Sequence, residues 1–212
     1  PDFMGGVTAA FGVVLALIHR KKTGHGQWID SAQAEVGASL LGPRFLEYTV
    51  NGREPRPVGN DSLVAAPHGV YRCQGEDRWC VIGVYSQEEW TAFCEVTGHQ
   101  EWRIDPRFAT HLSRVRHKVE LDAAVESWTR EHDRYGIMEL LQQAGVMAVP
   151  IQDVEDVFKR DKQYAARGFL VTLDEPEAGK ITAEGLPVRL SETPGRINSP
   201  APLMGEHTSP RC

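Results

Sequence analysis

The sequence has little that would tie it to an oxidising compartment, a structural metal, nucleic acid or a membrane. Its 212 residues contain four cysteines, Cys73, Cys80, Cys94 and Cys212. There is no CxxC pair and no histidine at zinc-ligand spacing, so a zinc module or a disulfide scaffold is excluded and a reducing, cytoplasmic setting is expected. Positive charge is in deficit, with 23 Lys+Arg against 29 Asp+Glu and a net charge of −6. That balance excludes a surface-wide attraction to nucleic acid or anionic lipid and leaves only a local patch at Arg44, Arg53 and Arg56. The longest apolar run, Gly5 to Ile18, falls short of the roughly 20 residues of a membrane helix. No basic segment precedes it as in a signal peptide, so no membrane span is expected. Internal repeats and low-complexity tracts are lacking too.

What is present suits a globular chain: 41% hydrophobic and 25% charged residues suffice for a real core. Residues 3–20 predict a helix that is apolar all round and so buried on most sides. Its small residues Gly5, Gly6, Ala9, Ala10, Gly12 and Ala16 imply the close approach of another backbone or a ligand, because glycine inside a helix costs about 1 kcal/mol relative to alanine. Arg20, Lys21 and Lys22 suit its C-terminal dipole, and Thr23-Gly24-His25-Gly26 ends it. A short strand at Gln27–Ser31 and one helix from Ser31 to about Val50 follow. Pro55, Pro57 and Pro67 mark a linker.

Beyond the linker, Val70–Cys73 and Trp79–Tyr85 predict a hairpin around Gly75-Glu76-Asp77. Helices are expected at Gln87–Val96, Leu112–His132 and Tyr135–Ala144, the last capped by Asp133. Met147–Ile151 reads as a buried strand, Val154–Lys159 as a short helix, and Phe169–Leu173 with Ile181–Val188 as a last strand pair. The segment after Ser191 reads as an extended tail. Because the chain opens at Pro1 directly into an apolar helix, a portion of a longer polypeptide is expected.

Several residues could carry chemistry. Asp2, just before the glycine-rich helix, is by position type a helix cap. The less common reading is that a carboxylate beside helix N–H groups, flanked by glycines that admit a bulky substrate, serves as a nucleophile toward an activated acyl group. Gly24-His25-Gly26 stands in the wrong order for a dinucleotide loop and reads as a turn. His68 reads as a loop residue in preference to a base. The charges of Arg114 to Glu131, with Glu88 and Glu89, read as solvated helix faces. Trp79, Trp90, Trp102 and Trp128 read as core anchors, and Cys80 and Cys94 as small core residues.

Six segments, taken together, resemble CoA-transferase family III, the CaiB/BaiF type. They are Pro1-Asp2-Phe3-Met4-Gly5-Gly6, His19 to Gln27, Asp30-Ser31-Ala32-Gln33-Ala34-Glu35, Asn51-Gly52, Gly59-Asn60, and Ala201-Pro202-Leu203-Met204-Gly205-Glu206-His207-Thr208. The resemblance implies an α/β chain: the end of a Rossmann-like large domain over 1–52, a linker at 53–67, a small α+β domain over 68–190, and a tail at 191–212 that returns to the large domain. It implies Asp2 as the nucleophile, which attacks an acyl-CoA to form first a mixed anhydride and then an aspartyl-CoA thioester. Gly5, Gly6, Gly59 and Asn60 are the implied substrate-binding residues.

Coenzyme A is then a substrate, with no permanently bound cofactor and no metal. The implied partners are an acyl-CoA, a carboxylic acid and a second subunit, in an interlocked homodimer or a heteromer with a related chain. This portion is expected to be inactive alone. The glycine-run lid of the formyl-CoA transferases is replaced by Val58–Gly69 with glycines only at its Gly59 and Gly69 positions, so formate and oxalate are not supported. Racemisation of 2-methylacyl-CoA, by proton exchange between a histidine and an aspartate, is the alternative within the family. A non-catalytic partner subunit or degenerate paralogue is the alternative outside enzymology.

Overall fold

An apolar run without proline or a charged residue folds as one helix, α1 (Asp2–Thr23), longer at both ends than its periodicity predicts. Arg20, Lys21 and Lys22 lie in its last turn, and Gly24 closes it at φ 81° with its N–H on the Arg20 carbonyl. The computed structural model describes residues 2–206 and 208. Pro1, His207 of the near-terminal motif, and the stretch 209–212 with Cys212 lie outside the described residues. Two compact units divide the chain, Pro1–Gly59 and Asn60–Cys212.

In the first unit α1 packs against α2 (Gln33–Ser39), which α3 (Pro43–Asn51) follows. The first unit departs from four expectations. The expected helix from Ser31 to Val50 is two helices, because Pro43 occupies the first turn of α3, where its missing N–H is harmless, and its ring bars a continuous ladder. The expected strand at Gln27–Ser31 is irregular chain, with no partner strand among the described residues, and Trp28 within it is 91% exposed. Finally, α1 is not buried: Gly5 is its buried residue, while Phe3, Val7, Phe11, Val14 and Leu17 face outward. With 22 residues and a mean hydropathy of 1.6 over its best 18, α1 is by length and composition long enough to cross a membrane, contrary to the estimate from the apolar run alone.

In the second unit, β1 (His68–Arg72), β2 (Trp79–Gly83) and β3 (Met147–Pro150) form an antiparallel sheet with β2 central; Tyr71 lies opposite Cys80 and Val81 opposite Val149. Alternation sends Tyr71, Cys80, Ile82 and Ala148 into the core, where α4 (Gln87–Thr97), α6 (Lys118–Thr129) and α7 (Arg134–Gln143) supply Trp90, Phe93, Leu121, Val125, Trp128, Ile137 and Leu141. Trp90 stacks on Phe93 at 5.7 Å and on Trp102 at 6.3 Å, as expected of core anchors. Desolvation pushes the Cys94 thiol up to about 12, in keeping with a core residue.

Capping sets the helix starts. Ser86 and Glu89 form a capping box on α4, and Asp133 accepts from the Tyr135 and Gly136 N–H groups at the start of α7. The expected Leu112–His132 helix is α5 (His111–Arg116) and α6, broken at His117, whose Nδ1 donates to the Ser113 carbonyl 2.9 Å away. Arg114 is not solvated as expected. It is fully buried over the Trp90 ring and donates to the Ala66 and Phe108 carbonyls and to Gln87 Oε1. After β3 come α8 (Val154–Lys159), the unanticipated α9 (Lys162–Arg167), and a separate hairpin of β4 (Leu170–Glu175) and β5 (Gly179–Glu184).

Candidate active site

Asp2 is the first residue of α1 and lies exposed at its N-terminal end. The first-turn N–H groups of a helix lack intrahelical acceptors, so this end favours an anion. Asp2 Oδ1 accepts a hydrogen bond from Gln33 Nε2 at 3.2 Å. Gln33 opens α2, and its side chain lies across Gly5: a Cβ built on Gly5 would come within 2.7 Å of Gln33 Cγ. Gly5 is therefore glycine because Gln33 needs the space, and Gln33 in turn holds one oxygen of Asp2. At Gly6 a Cβ would meet nothing within 4 Å, so the surface beside Asp2 is open there.

Sequence reasoning singled out Asp2 and Gly5 but not Gln33, although Gln33 stands in the quoted Asp30–Glu35 motif. Only the packing of α2 on α1 makes it a partner of the carboxylate. Of the other expected site residues, Gly59 ends the first unit at φ 63°, a left-handed conformation suited to glycine, and Asn60 opens the second. His68, expected in a loop, is instead the first residue of β1, and its Nδ1 donates to the Asn60 carbonyl at 3.1 Å.

A cavity of about 520 Å³ in the second unit is lined by Tyr135, Met138, Val149, Pro150, Arg160 and Lys162, none of them singled out from the sequence. Among the described residues, no cluster of three His, Cys, Asp or Glu side chains is arranged to hold a metal ion.

Comparison with known proteins decides the family. The model of CoA-transferase family III matches residues 1–208. The chain belongs to CoA-transferase family III. A probable CoA-transferase of Mycobacterium tuberculosis is 34% identical over 213 residues, covering 100% of this chain and 26% of its own length. The succinyl-CoA–D-citramalate CoA-transferase of Chloroflexus aurantiacus is 30% identical over 206 residues, 97% of this chain and 51% of that protein. A formyl-CoA:oxalate CoA-transferase of Rhodopseudomonas palustris is 31% identical over 225 aligned positions, 96% of this chain and 52% of that protein.

The crystal structure of a CaiB/BaiF family protein from Brucella suis matches with a TM-score of 0.85 at 28% identity, over 96% of this chain and 52% of that one. This family III chain thus has the expected mixed α/β fold, helices with small antiparallel sheets. It spans about half the length of most of these relatives and about a quarter of the mycobacterial one.

Proposed function

We propose that the protein carries the nucleophile of a CoA-transferase, and that this nucleophile is Asp2. The observation that carries the reading is an exposed carboxylate at the head of α1, steadied through one oxygen by Gln33 and bordered by the open Gly6 surface. The free oxygen attacks the carbonyl carbon of an acyl-CoA, and the tetrahedral intermediate expels CoA thiolate to leave a mixed anhydride. Thiolate then attacks the aspartyl carbonyl, releasing the donor acid and forming aspartyl-CoA. An acceptor carboxylate attacks that thioester, giving a second anhydride and thiolate, and attack of thiolate on the acceptor acyl carbon regenerates Asp2. Every step exchanges one activated acyl bond for another, so the cycle balances without ATP. Amide donors at the head of α1 would stabilise the oxyanions, each worth about 3 kcal/mol in such settings.

The acids are larger than formate in this reading. The alignments to the succinyl-CoA–D-citramalate enzyme and to the succinate–glutarate CoA-transferase of Agrobacterium fabrum each run over 206 positions and 97% of this chain, leaving no room for extra residues in the relatives. The formyl-CoA:oxalate alignment runs over 225 positions, longer than the chain itself, so that relative carries insertions. Within this proposal residues 1–52 end a large domain, 68–190 form the small domain, and the tail returns to the large one. Assembly with a second related chain, in a cytoplasmic setting, completes the enzyme, and α1 is an internal helix of that larger body.

The test is chemical trapping. Incubation of the full-length protein with succinyl-CoA and hydroxylamine should convert Asp2 to its hydroxamate, read by peptide mass spectrometry. Asp2→Ala should lower exchange on the order of 10³-fold or more, as loss of a covalent nucleophile does. Exchange that survives Asp2→Ala would overturn the assignment, and deuterium washing into the α-position of a 2-methylacyl-CoA would make the protein a racemase.

A further inference from the structure

We propose that Lys118 is a positioning residue that clamps Asn60 and Asp61, next to the Gly59–Asn60 pair that the family resemblance implies as acyl-CoA-binding. The inference rests on that assignment for its catalytic consequence and on geometry for the clamp itself. Lys118 is the first residue of α6, and its side chain is only 17% exposed. Its Nζ lies 2.7 Å from Asp61 Oδ1, 3.2 Å from Asp122 Oδ2 and 3.1 Å from the His68 carbonyl oxygen. An ammonium has three N–H donors, and here three acceptors receive them.

The acceptors are fixed from behind. Asp122 Oδ1 accepts from the Tyr71 hydroxyl at 2.6 Å, and Tyr71 is buried on the core face of β1. His68 donates from Nδ1 to the Asn60 carbonyl, since a carbonyl can only accept. The turn is thereby tied at two successive residues, Asn60 through its carbonyl and Asp61 through its side chain, to the start of β1 and the start of α6.

Electrostatics agree with this geometry. Burial alone would pull the Lys118 pKa down, yet hydrogen bonds and charge from Asp61 and Asp122 outweigh it and raise the value. The hydrogen bond from Lys118 holds Asp61 below the ordinary carboxylate range. Asp61 itself is half exposed, so the ion pair adds little to global stability; its effect is the local order of one turn.

The experiment compares Lys118→Met, Lys118→Arg and Asp61→Asn in the full-length protein. Hydrogen–deuterium exchange over residues 58–64 should quicken about tenfold in Lys118→Met and Asp61→Asn, as for loss of a partly buried charge-assisted hydrogen bond, and should recover in Lys118→Arg. The KM for acyl-CoA should rise about fivefold with kcat within about twofold, because uniform binding is lost and chemistry is not. Unchanged exchange in both disrupting variants would overturn the clamp. Faster exchange with an unmoved KM would overturn the positioning role while leaving Asp2 chemistry intact. Should Lys118→Met fail to fold, Asp61→Asn, on an exposed turn, carries the same test. An inactive but folded wild-type enzyme would refute the transferase reading, and the exchange measurement would still decide the clamp.

Discussion

At the residue scale, the glycines before the apolar stretch of α1 have opposite duties. A methyl group at Gly5 collides with Gln33 Cγ, whereas one at Gly6 meets open space. Gly5→Ala is therefore expected to push Gln33 off Asp2 and slow acyl transfer about fivefold, the equivalent of roughly 1 kcal/mol for one hydrogen bond. Gln33→Ala should show the same loss, and the two together should not add, because both remove one contact. Gly6→Ala, free of any clash, should raise thermal stability slightly, by up to about 1 kcal/mol, because alanine is the better helix former. Single-turnover kinetics and a melting curve check all three. Gly5 was legible as a close-approach position in the sequence, but what approaches it was not, since Gln33 arrives from another helix.

At the element scale, helix starts in the second unit follow from local chemistry, and their anchoring does not. Asp133 caps α7 as its position predicts. The next residue, Arg134, turns inward to the buried Asp156 of α8, to Asp153 and to the Ile151 carbonyl. Burial works against the charged form of Asp156. The Asp153 N–H, Arg160, Tyr135 and Arg134 more than offset it, so the pKa falls from 3.8 to about 2. A depressed carboxylate stabilises the fold above its unfolded pKa, so this contribution is complete above about pH 4 and disappears as pH falls through about 2. Asp156→Ala leaves Arg134 buried without its main partner and is expected to destabilise the unit by about 3–5 kcal/mol in urea denaturation at neutral pH. The variant should also lose the steep acid dependence of the wild type between those pH values. A flat difference between the two proteins across that range would refute the assignment.

At the scale of the whole molecule, the two units differ in what holds them. All the residues of the main core cluster lie between Ala66 and Ala148, while the first unit leaves most of the apolar surface of α1 outward. Residues 60–190 alone are therefore expected to fold, with one sigmoidal denaturation by tryptophan fluorescence, and residues 1–59 alone to show no cooperative transition. A gradual, non-cooperative curve for 60–190 would refute this. Periodicity, turn residues and caps sufficed to place α1, the β1–β2 hairpin, α4, α7 and β3 along the chain, because each depends on neighbours a few residues away. Yet β3, expected to be buried, buries only Ala148 and leaves Met147 and Val149 exposed. The sequence by itself also determined the family, since that rests on the types and order of residues in short segments along the chain, and the proposed role of Asp2 follows from the family. Only the tertiary structure decided that Gln33 holds Asp2, that Lys118 holds Asp61, that Arg114 is buried on Trp90, and that α1 is exposed. Those outcomes depend on contacts between residues far apart in the chain, and local periodicity carries no record of which distant side chain fills a given space.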